Sequence, residues 1–545
     1  MSLKYIGLIL LLTFFPLITQ ADDDDWISVV GEVFFFPDIS SEPVDDSVVL
    51  PPVPEFKTQG PLKKKQLVLT SISLQGNTQL KPAQVEQILK PFIGIELSNN
   101  ELHLMTASLT ELYHSQGYLN SRVVLPDQSI KNSALVLQSI EGRIEEIKIL
   151  GLNRLNAVEL GSSFATYENK VFNYYTVMNV VDQLATDPRI ERVDVSVNRG
   201  LALFNSSLHL KVHETARNGF MLGADNYKAP GIGSTHGYVQ AYRRGLLSSY
   251  DELNLNMGLT EGVLEGLFRY EQNYYNRMWS MHYQRSHSKI VDPAFADLNL
   301  TNTGSSFGVR YLGAFDSKNG LKTGWQWQVG LNQKKSLSKI DGEPYSLDSQ
   351  SLNGVSHSVT LGLGALYRKR HAGVSQVVNF GISYGQDINR FAQPFWLIQP
   401  AFIRQQRLAL WQSFLSIDLR AQFASVHLLP TDKFSAGGSQ SVRGYRENSL
   451  SRDQGLVLRM DWFIYPLSSR FGRLNWGPFV DYGSLWSRGE ESQFEQLFSA
   501  GLGLMLVNKK GLNVRLDWGL PFIPLSAEYT DWQDAGLHAS ISYKF

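Results

Sequence analysis

After Glu214 the chain alternates apolar and polar residues with a period of two. Leu253, Leu255, Met257 and Leu259 alternate with Asn254, Asn256, Gly258 and Thr260, and Trp325, Trp327, Val329 and Leu331 with Gln326, Gln328 and Asn332. Near the end Leu512, Val514, Leu516 and Trp518 alternate with Asn513, Arg515 and Asp517. Successive strand residues point to opposite faces, so each segment has one greasy and one wet side. A soluble sandwich shows the same alternation, but it has no need to keep placing Trp and Tyr near strand ends. About sixteen segments of roughly 8 to 14 residues follow one another from Gly219 to Phe545, and an even number suits closure. The expected fold is therefore a transmembrane β-barrel of about 16 antiparallel strands.

Composition agrees with that reading. The chain is 43% hydrophobic and 12% aromatic, yet no window after the first residues is apolar enough for a membrane helix. Outward apolar residues, polar lumen residues and aromatic girdles together give this balance. Turns are short at some positions, as at Asn508 to Gly511, and long at others, as at Val291 to Ser305 and Ser336 to Ser356. That asymmetry matches short periplasmic turns and longer outer loops.

The first residues read as a secretory leader over 1–21: Lys4, an apolar run from Ile6 to Ile18, then Thr19 and Ala21. Cysteine is absent, which removes disulfides, thiolate metal sites and cysteine nucleophiles, and export without disulfides favours a bacterial envelope. A formal charge of −1 gives no basic footprint for nucleic acid. Residues 22–66 form an acidic arm and a Pro-rich linker, in which Trp26 to Phe36 (WISVVGEVFFF) can dock as one short element.

Two similar α/β units follow, 67–141 and 142–214, each a strand, two helical stretches and two strands. In the first, Val68 to Leu74 runs into Gly76-Asn77, Pro82 opens a helix to about Leu89, Leu102 to Tyr113 is a second helix, and Tyr118 to Leu125 and Ala134 to Ile140 are strands. In the second, Ile144 to Leu150 leads to Gly151-Leu152-Asn153, Tyr175 to Leu184 is a helix, and Arg192 to Asn198 and Ser206 to Val212 are strands.

Within the barrel region, 215–545, the longest gap between strands runs over 424–453, between the eleventh and twelfth. It contains Phe434 to Glu447 (FSAGGSQSVRGYRE). Gly437 and Gly438 permit a sharp reversal, and Gly444 permits close backbone approach beside Arg443, a planar and permanently charged fork. If Val480 and Tyr482 face lipid, Asp481 points into the lumen, and Arg459 and Asp461 share that inward face. Enzyme motifs fail: His213-Glu214 starts a zinc-protease motif, but position 217 is Arg. Gly362 and Gly364, or Gly501 and Gly503, give only isolated GxG. No cofactor and no metal site is expected.

These residues resemble the two-partner secretion transporters, the TpsB family of hemolysin secretion and activation proteins, within the superfamily that includes the barrel-assembly insertase. Tyr118 to Ile147 resembles the junction of two POTRA domains. The elements around Phe434, Gly437, Gly438, Val442, Arg443, Gly444 and Tyr445 resemble the family's lumen-folded loop six. Phe479-Val480-Asp481-Tyr482-Gly483 resembles the wall motif that receives it. The resemblance implies POTRA domains in the periplasm, a barrel in the outer membrane and export of an extended exoprotein without ATP. The terminal Phe545 on the apolar face resembles the signal read by the barrel-assembly machinery. Implied partners are that secreted TpsA-like protein, outer-membrane lipid and the assembly machinery, with a monomeric transporter. The alternative is an assembly or insertion factor for outer-membrane proteins. On this reading Arg443 pairs with Asp481, Arg459 and Asp461 complete a lumen network, and reversing both charges restores secretion lost in either single variant. Val29, Val30, Val33, Gly31 and the Phe run make a poor helix, so a plug formed by the arm is a strand, a loop or absent.

Overall fold

The computed structural model describes residues 67–545, apart from 131–132, 157–159, 162–163, 165, 186, 188, 203, 275, 317–322, 347–350, 372, 390–393, 409, 411–412, 470–471, 490–493, 509 and 526–530. The expected leader, acidic arm and plug lie outside the described residues. The described chain divides into two compact units, one ending at Thr215 and one beginning at Ala216.

In the first unit the two α/β domains share one topology. Ser71–Gln75 pairs parallel with Ala134–Ile140, which pairs antiparallel with Arg122–Val124. Ile144–Leu150 likewise pairs parallel with Ser206–Glu214, which pairs antiparallel with Ile190–Arg199. Pro82–Leu89 begins on its proline, where a missing N–H costs nothing, and Asn99–Ser115 begins at a Ser98/Glu101 capping box. Tyr174–Ala185 is a helix of the second domain. Leu102, Met105, Leu109 and Tyr113, at helical spacing, face Leu135 and Leu137; Val177, Val180, Val181 and Leu184 do the same against Leu208, Leu210 and Val212. Each core is thus a helix stripe laid on one face of a three-stranded sheet.

A glutamate at the end of each domain's final strand ties down the turn after its first strand. Glu141 Oε1 accepts from the N–H groups of Thr78 (2.7 Å) and Gln79 (3.2 Å). Glu214 Oε1 accepts from those of Asn153, Arg154 and Leu155, each at 2.9 Å. The duplicated turns seen in the sequence are held by duplicated carboxylates.

The second unit is a closed antiparallel barrel of sixteen wall strands. In chain order they are β1 (Asn218–Asp225), β2 (His236–Arg244), β3 (Asp251–Leu259), β4 (Val263–Tyr274), β5 (Arg277–Lys289), β6 (Thr301–Ala314), β7 (Gly324–Ile340) and β8 (Val355–His371). They continue as β9 (Val374–Asp387), β10 (Phe395–Arg407), β11 (Phe414–Ala424), β12 (Gln454–Ser469), β13 (Gly472–Trp486), β14 (Glu495–Val507), β15 (Leu512–Pro521) and β16 (Leu537–Lys544). β16 returns to β1, with Ser540 opposite Asp225 and Lys544 opposite Met221. Closure leaves no sheet edge in the bilayer, where an unpaired backbone group costs several kcal/mol.

Alternation sorts the side chains. On β7, Trp325, Trp327 and Leu331 are exposed while Gln326, Gln328 and Lys334 are buried. Two expected loops are shorter than the hydropathy pattern suggested, because Lys289 pairs with Thr301 and Leu337 with Val355, leaving only 290–300 and 341–354 between strands. There the ladder continues beyond the apolar band, and both faces are wet. Phe545 lies at the opposite end; its N–H donates to the Phe220 carbonyl (2.8 Å) and its ring packs 5.8 Å from that of Phe220.

Candidate functional site: the lumen loop and its wall

The segment between β11 and β12 folds back on itself. Phe434–Ala436 pairs antiparallel with Leu450–Arg452, with Ala436 opposite Leu450. At the reversal Gly437 (φ +107°) and Gly438 (φ +100°) adopt angles that side-chain-bearing residues resist. The tip is tied by Gly438 N–H to the Val442 carbonyl (3.0 Å), Gly437 N–H to Ser441 Oγ (2.8 Å) and Ser439 N–H to Glu447 Oε1 (2.6 Å).

Val442, Tyr445, Ala436 and Leu450 are buried against Val457, Leu485 and Leu497 of the wall, with Phe434 packed beside them. Gly483 makes the room: a Cβ there would stand 3.0 Å from Val442 Cγ2. Gly444 (φ +89°) meets the wall backbone directly, since a Cβ would lie 2.9 Å from the Gly519 carbonyl oxygen. The wall position is also glycine, and a Cβ on Gly519 would lie 2.8 Å from Gly444 N. Backbone touches backbone, which two glycines alone allow. The Tyr445 hydroxyl sits within 3.0 Å of the Phe498 carbonyl and 2.9 Å of the Ile523 carbonyl, donating its single proton to one at a time. It accepts from the Phe498 N–H at 3.1 Å and the Ile523 N–H at 3.3 Å.

Arg443 is fully buried. Its Nε donates to Asp481 Oδ2 (2.7 Å) and its Nη2 to Asp481 Oδ1 (2.8 Å), a bidentate fork, while its backbone N–H also reaches Oδ2 at 3.0 Å. Nη1 donates to Asp461 Oδ1 (2.6 Å) and Asp517 Oδ1 (3.3 Å). The guanidinium carbon stands 3.6 Å from the centre of the Phe479 ring, a cation–π contact from below. β13 aims Asp481 inward, as parity requires: Val480 is exposed and Asp481 fully buried.

The network is larger than the expected one. Arg459 lies opposite Asp481 in the register and is buried, but its Nε finds no hydrogen-bond partner among the described residues. A further cation is Arg515, whose Nε donates to Asp517 Oδ2 at 2.6 Å and whose Nη2 lies 3.9 Å from Asp461 Oδ1. Arg443, Arg459 and Arg515 balance Asp461, Asp481 and Asp517, so the cluster is neutral, which a buried site demands. Arg515 and Asp517 were on the wet face of an alternating segment in the sequence; nothing local said that strand would curl round to β12 and β13. A second tie joins the loop to the turn before β16: Arg446 Nε and Nη2 reach Asp534 Oδ1 (2.5 Å) and Oδ2 (2.8 Å). Gln533 Oε1 meanwhile accepts from Glu447 N–H at 2.8 Å.

A long loop docked in the lumen by a buried ion cluster, on a closed barrel following two α/β domains, narrows the relatives to compare. A profile described as POTRA domain, ShlB-type, matches residues 67–142. The chain is 24% identical over 522 residues to the outer membrane transporter CdiB of Escherichia coli, covering 89% of this chain and 83% of that one. It is 21% identical over 485 residues to the heme/hemopexin transporter protein HuxB of Haemophilus influenzae, covering 80% of each. Among solved structures, CdiB from E. coli shares the fold with a TM-score of 0.58 at 19% identity, over 91% of this chain and 93% of that one. BamA from Haemophilus ducreyi lacking POTRA domains 1-3 gives 0.50 at 13% identity, over 88% and 100%. A second profile, haemolysin secretion/activation protein ShlB/FhaC/HecB, matches residues 205–506, more than half of the chain, and the chain belongs to that family.

Proposed function

We propose that this chain is the outer-membrane transporter of a two-partner secretion system, passing an extended exoprotein through its barrel without ATP. The observation that carries the proposal is the loop held by Arg443 on Asp481 inside a closed barrel: a lumen filled by a segment on a charged, reversible contact is a pathway that can be cleared. The family match favours secretion over the assembly-factor reading. In this reading the two POTRA domains stand in the periplasm and receive the exoprotein. Strand Ile190–Arg199, paired on one side only among the described residues, offers an edge for β-augmentation. The work is transport rather than bond-breaking, and release of Arg443 from Asp481 accompanies cargo entry. The barrel-assembly machinery inserts the protein by way of its C-terminal strand, and the working form is a monomer.

The test is co-expression with a large exported protein encoded beside it. The reading expects that protein in the medium only when this chain is present. Retention in the periplasm in both cases counts against it.

A further inference from the structure

The adjacent wall strands β5 to β8 are basic. None of these four strands contains Asp or Glu. The register places their outward residues in rows. From the turn end, Trp279 faces Tyr311, Met281 faces Val309 and Tyr283 faces Phe307; Val309 and Leu331 are opposite each other, as are Leu331 and Leu361. This is the apolar band. Directly beyond it comes a row Arg285, Ser305, Lys335, His357, and four residues further along β5 and β7 a row Lys289, Thr301, Lys339. Arg285, Lys289 and Lys335 are exposed and Lys339 half-buried. None of the four makes an ion pair with a described carboxylate; the nearest acids along the chain, Asp292, Asp297, Asp341 and Glu343, belong to the loops.

These rows sit at the long-loop end. β7 has 17 residues, whereas a tilted strand needs about 9–11 to cross the bilayer, so Lys335 and Lys339 fall where the wall leaves the hydrocarbon. Charges on a barrel's lipid face cost little at that depth. Neighbouring strands stand about 4.8 Å apart and residues rise about 3.4 Å along a strand. Arg285 and Lys335 are therefore about 10 Å apart, and the second pair, Lys289 and Lys339, lies about 13 Å beyond the first. Ser305, Thr301 and Thr303 put hydroxyls between the cations.

We propose that this wall binds the phosphorylated headgroup of an outer-leaflet glycolipid, with one phosphate between Arg285 and Lys335, the other between Lys289 and Lys339, and the acyl chains on the Tyr283–Phe307 band. The inference rests on the outer-membrane reading above, which sets the long-loop end in the outer leaflet. The four cations are preorganised on a rigid ladder, so binding orders little beyond their side-chain tips. The contact is electrostatic and falls with salt.

The purified full-length protein in lipid nanodiscs, titrated with bis-phosphorylated or phosphate-free lipid A and read by native mass spectrometry, tests this. The wild type should retain the phosphorylated lipid preferentially, by roughly five-fold per engaged cation. The variant R285Q/K289Q/K335Q/K339Q should lose that preference, and K335R/K339R should keep it. Equal retention of both lipids by the wild type, equal retention by wild type and quadruple variant, or retention independent of salt would each overturn the proposal. Should the quadruple variant not fold, the salt titration of the wild type and K335Q/K339Q decide alone. A chain that fails to enter nanodiscs at all contradicts the barrel's membrane placement instead.

Discussion

Removing the Asp481 carboxylate takes three hydrogen bonds from Arg443, two from the guanidinium and one from the backbone. It also leaves the cluster with three guanidiniums and two carboxylates. Breaking a buried pair in this way costs about 3–5 kcal/mol, so Asp481→Asn should raise the undocked fraction of the loop on the order of 10²- to 10³-fold. The chain has no cysteine, and Ser439 in the loop tip is buried. Ser439→Cys therefore places one thiol that reacts when the loop leaves the wall. Its labelling rate, measured in wild-type, R443A, D481N and R443A/D481N backgrounds, gives a double-mutant cycle. Each single variant should label on the order of 10²-fold faster or more, and the double variant little faster than either. Strictly additive rates would refute the pairing. The geometry also revises the rescue expected from sequence: in R443D/D481R, residue 443 becomes an acid facing Asp461 and Asp517, so exchanging the charges should not restore docking.

Other outcomes follow from the same contacts. Gly444→Ala and Gly519→Ala each drive a Cβ to within 2.9 Å of opposing backbone, so both should accelerate labelling at position 439, whereas Gly483→Ala, which meets only the end of Val442, should do so less. Arg446→Ala removes a partly buried tie and should cost about 1–2 kcal/mol, a five- to thirty-fold change in the same rate. Burial of Glu214 opposes its charge, but the N–H groups of Leu155, Arg154 and Asn153 and the Arg154 charge outweigh that and hold its pKa below the ordinary value. A folded pKa below the unfolded one, about 4.3, gives stability that is present above that pH and lost as pH falls through the folded value. Hydrogen exchange at the amides of residues 153–155 should therefore quicken on acidification below about pH 4, and Glu214→Gln should remove that dependence; exchange insensitive to pH after correction for the intrinsic rate would contradict it. Phe545→Ala strips the ring from Phe220 and should lower the yield of folded barrel, seen as less heat-modifiable protein in the membrane fraction.

How far the sequence reached depended on the range of each interaction. Strand parity is local, so the inward aim of Asp481 and the outward aim of Trp325 and Trp327 could be read from neighbours alone. The lumen loop was visible because a Gly-rich polar stretch interrupts that parity. Membership of the ion cluster was not, since Asp517 lies 74 residues from Arg443 and meets it only because β15 stands beside β14 in a closed wall. Arg459 takes the buried position opposite Asp481 that parity assigns it, but parity alone does not fix which of its atoms come within bonding distance. Strand ends at Lys289 and Ile340 were hidden because the backbone ladder outlasts the hydropathy signal. The complementarity of Gly444 and Gly519 left no trace beyond two glycines in otherwise ordinary surroundings.

Passage through the lumen can be measured with a photo-crosslinking residue and an exoprotein arrested in transit by a stably folded C-terminal fusion. Gln328 is buried in the lumen, donating to Asn379 at 2.9 Å, and the adjacent Trp327 is exposed on the outer face. The account predicts crosslinks to the arrested exoprotein from position 328 and none from position 327. Crosslinks from 327, or from neither position while the exoprotein still reaches the medium, would show that cargo does not travel through this barrel.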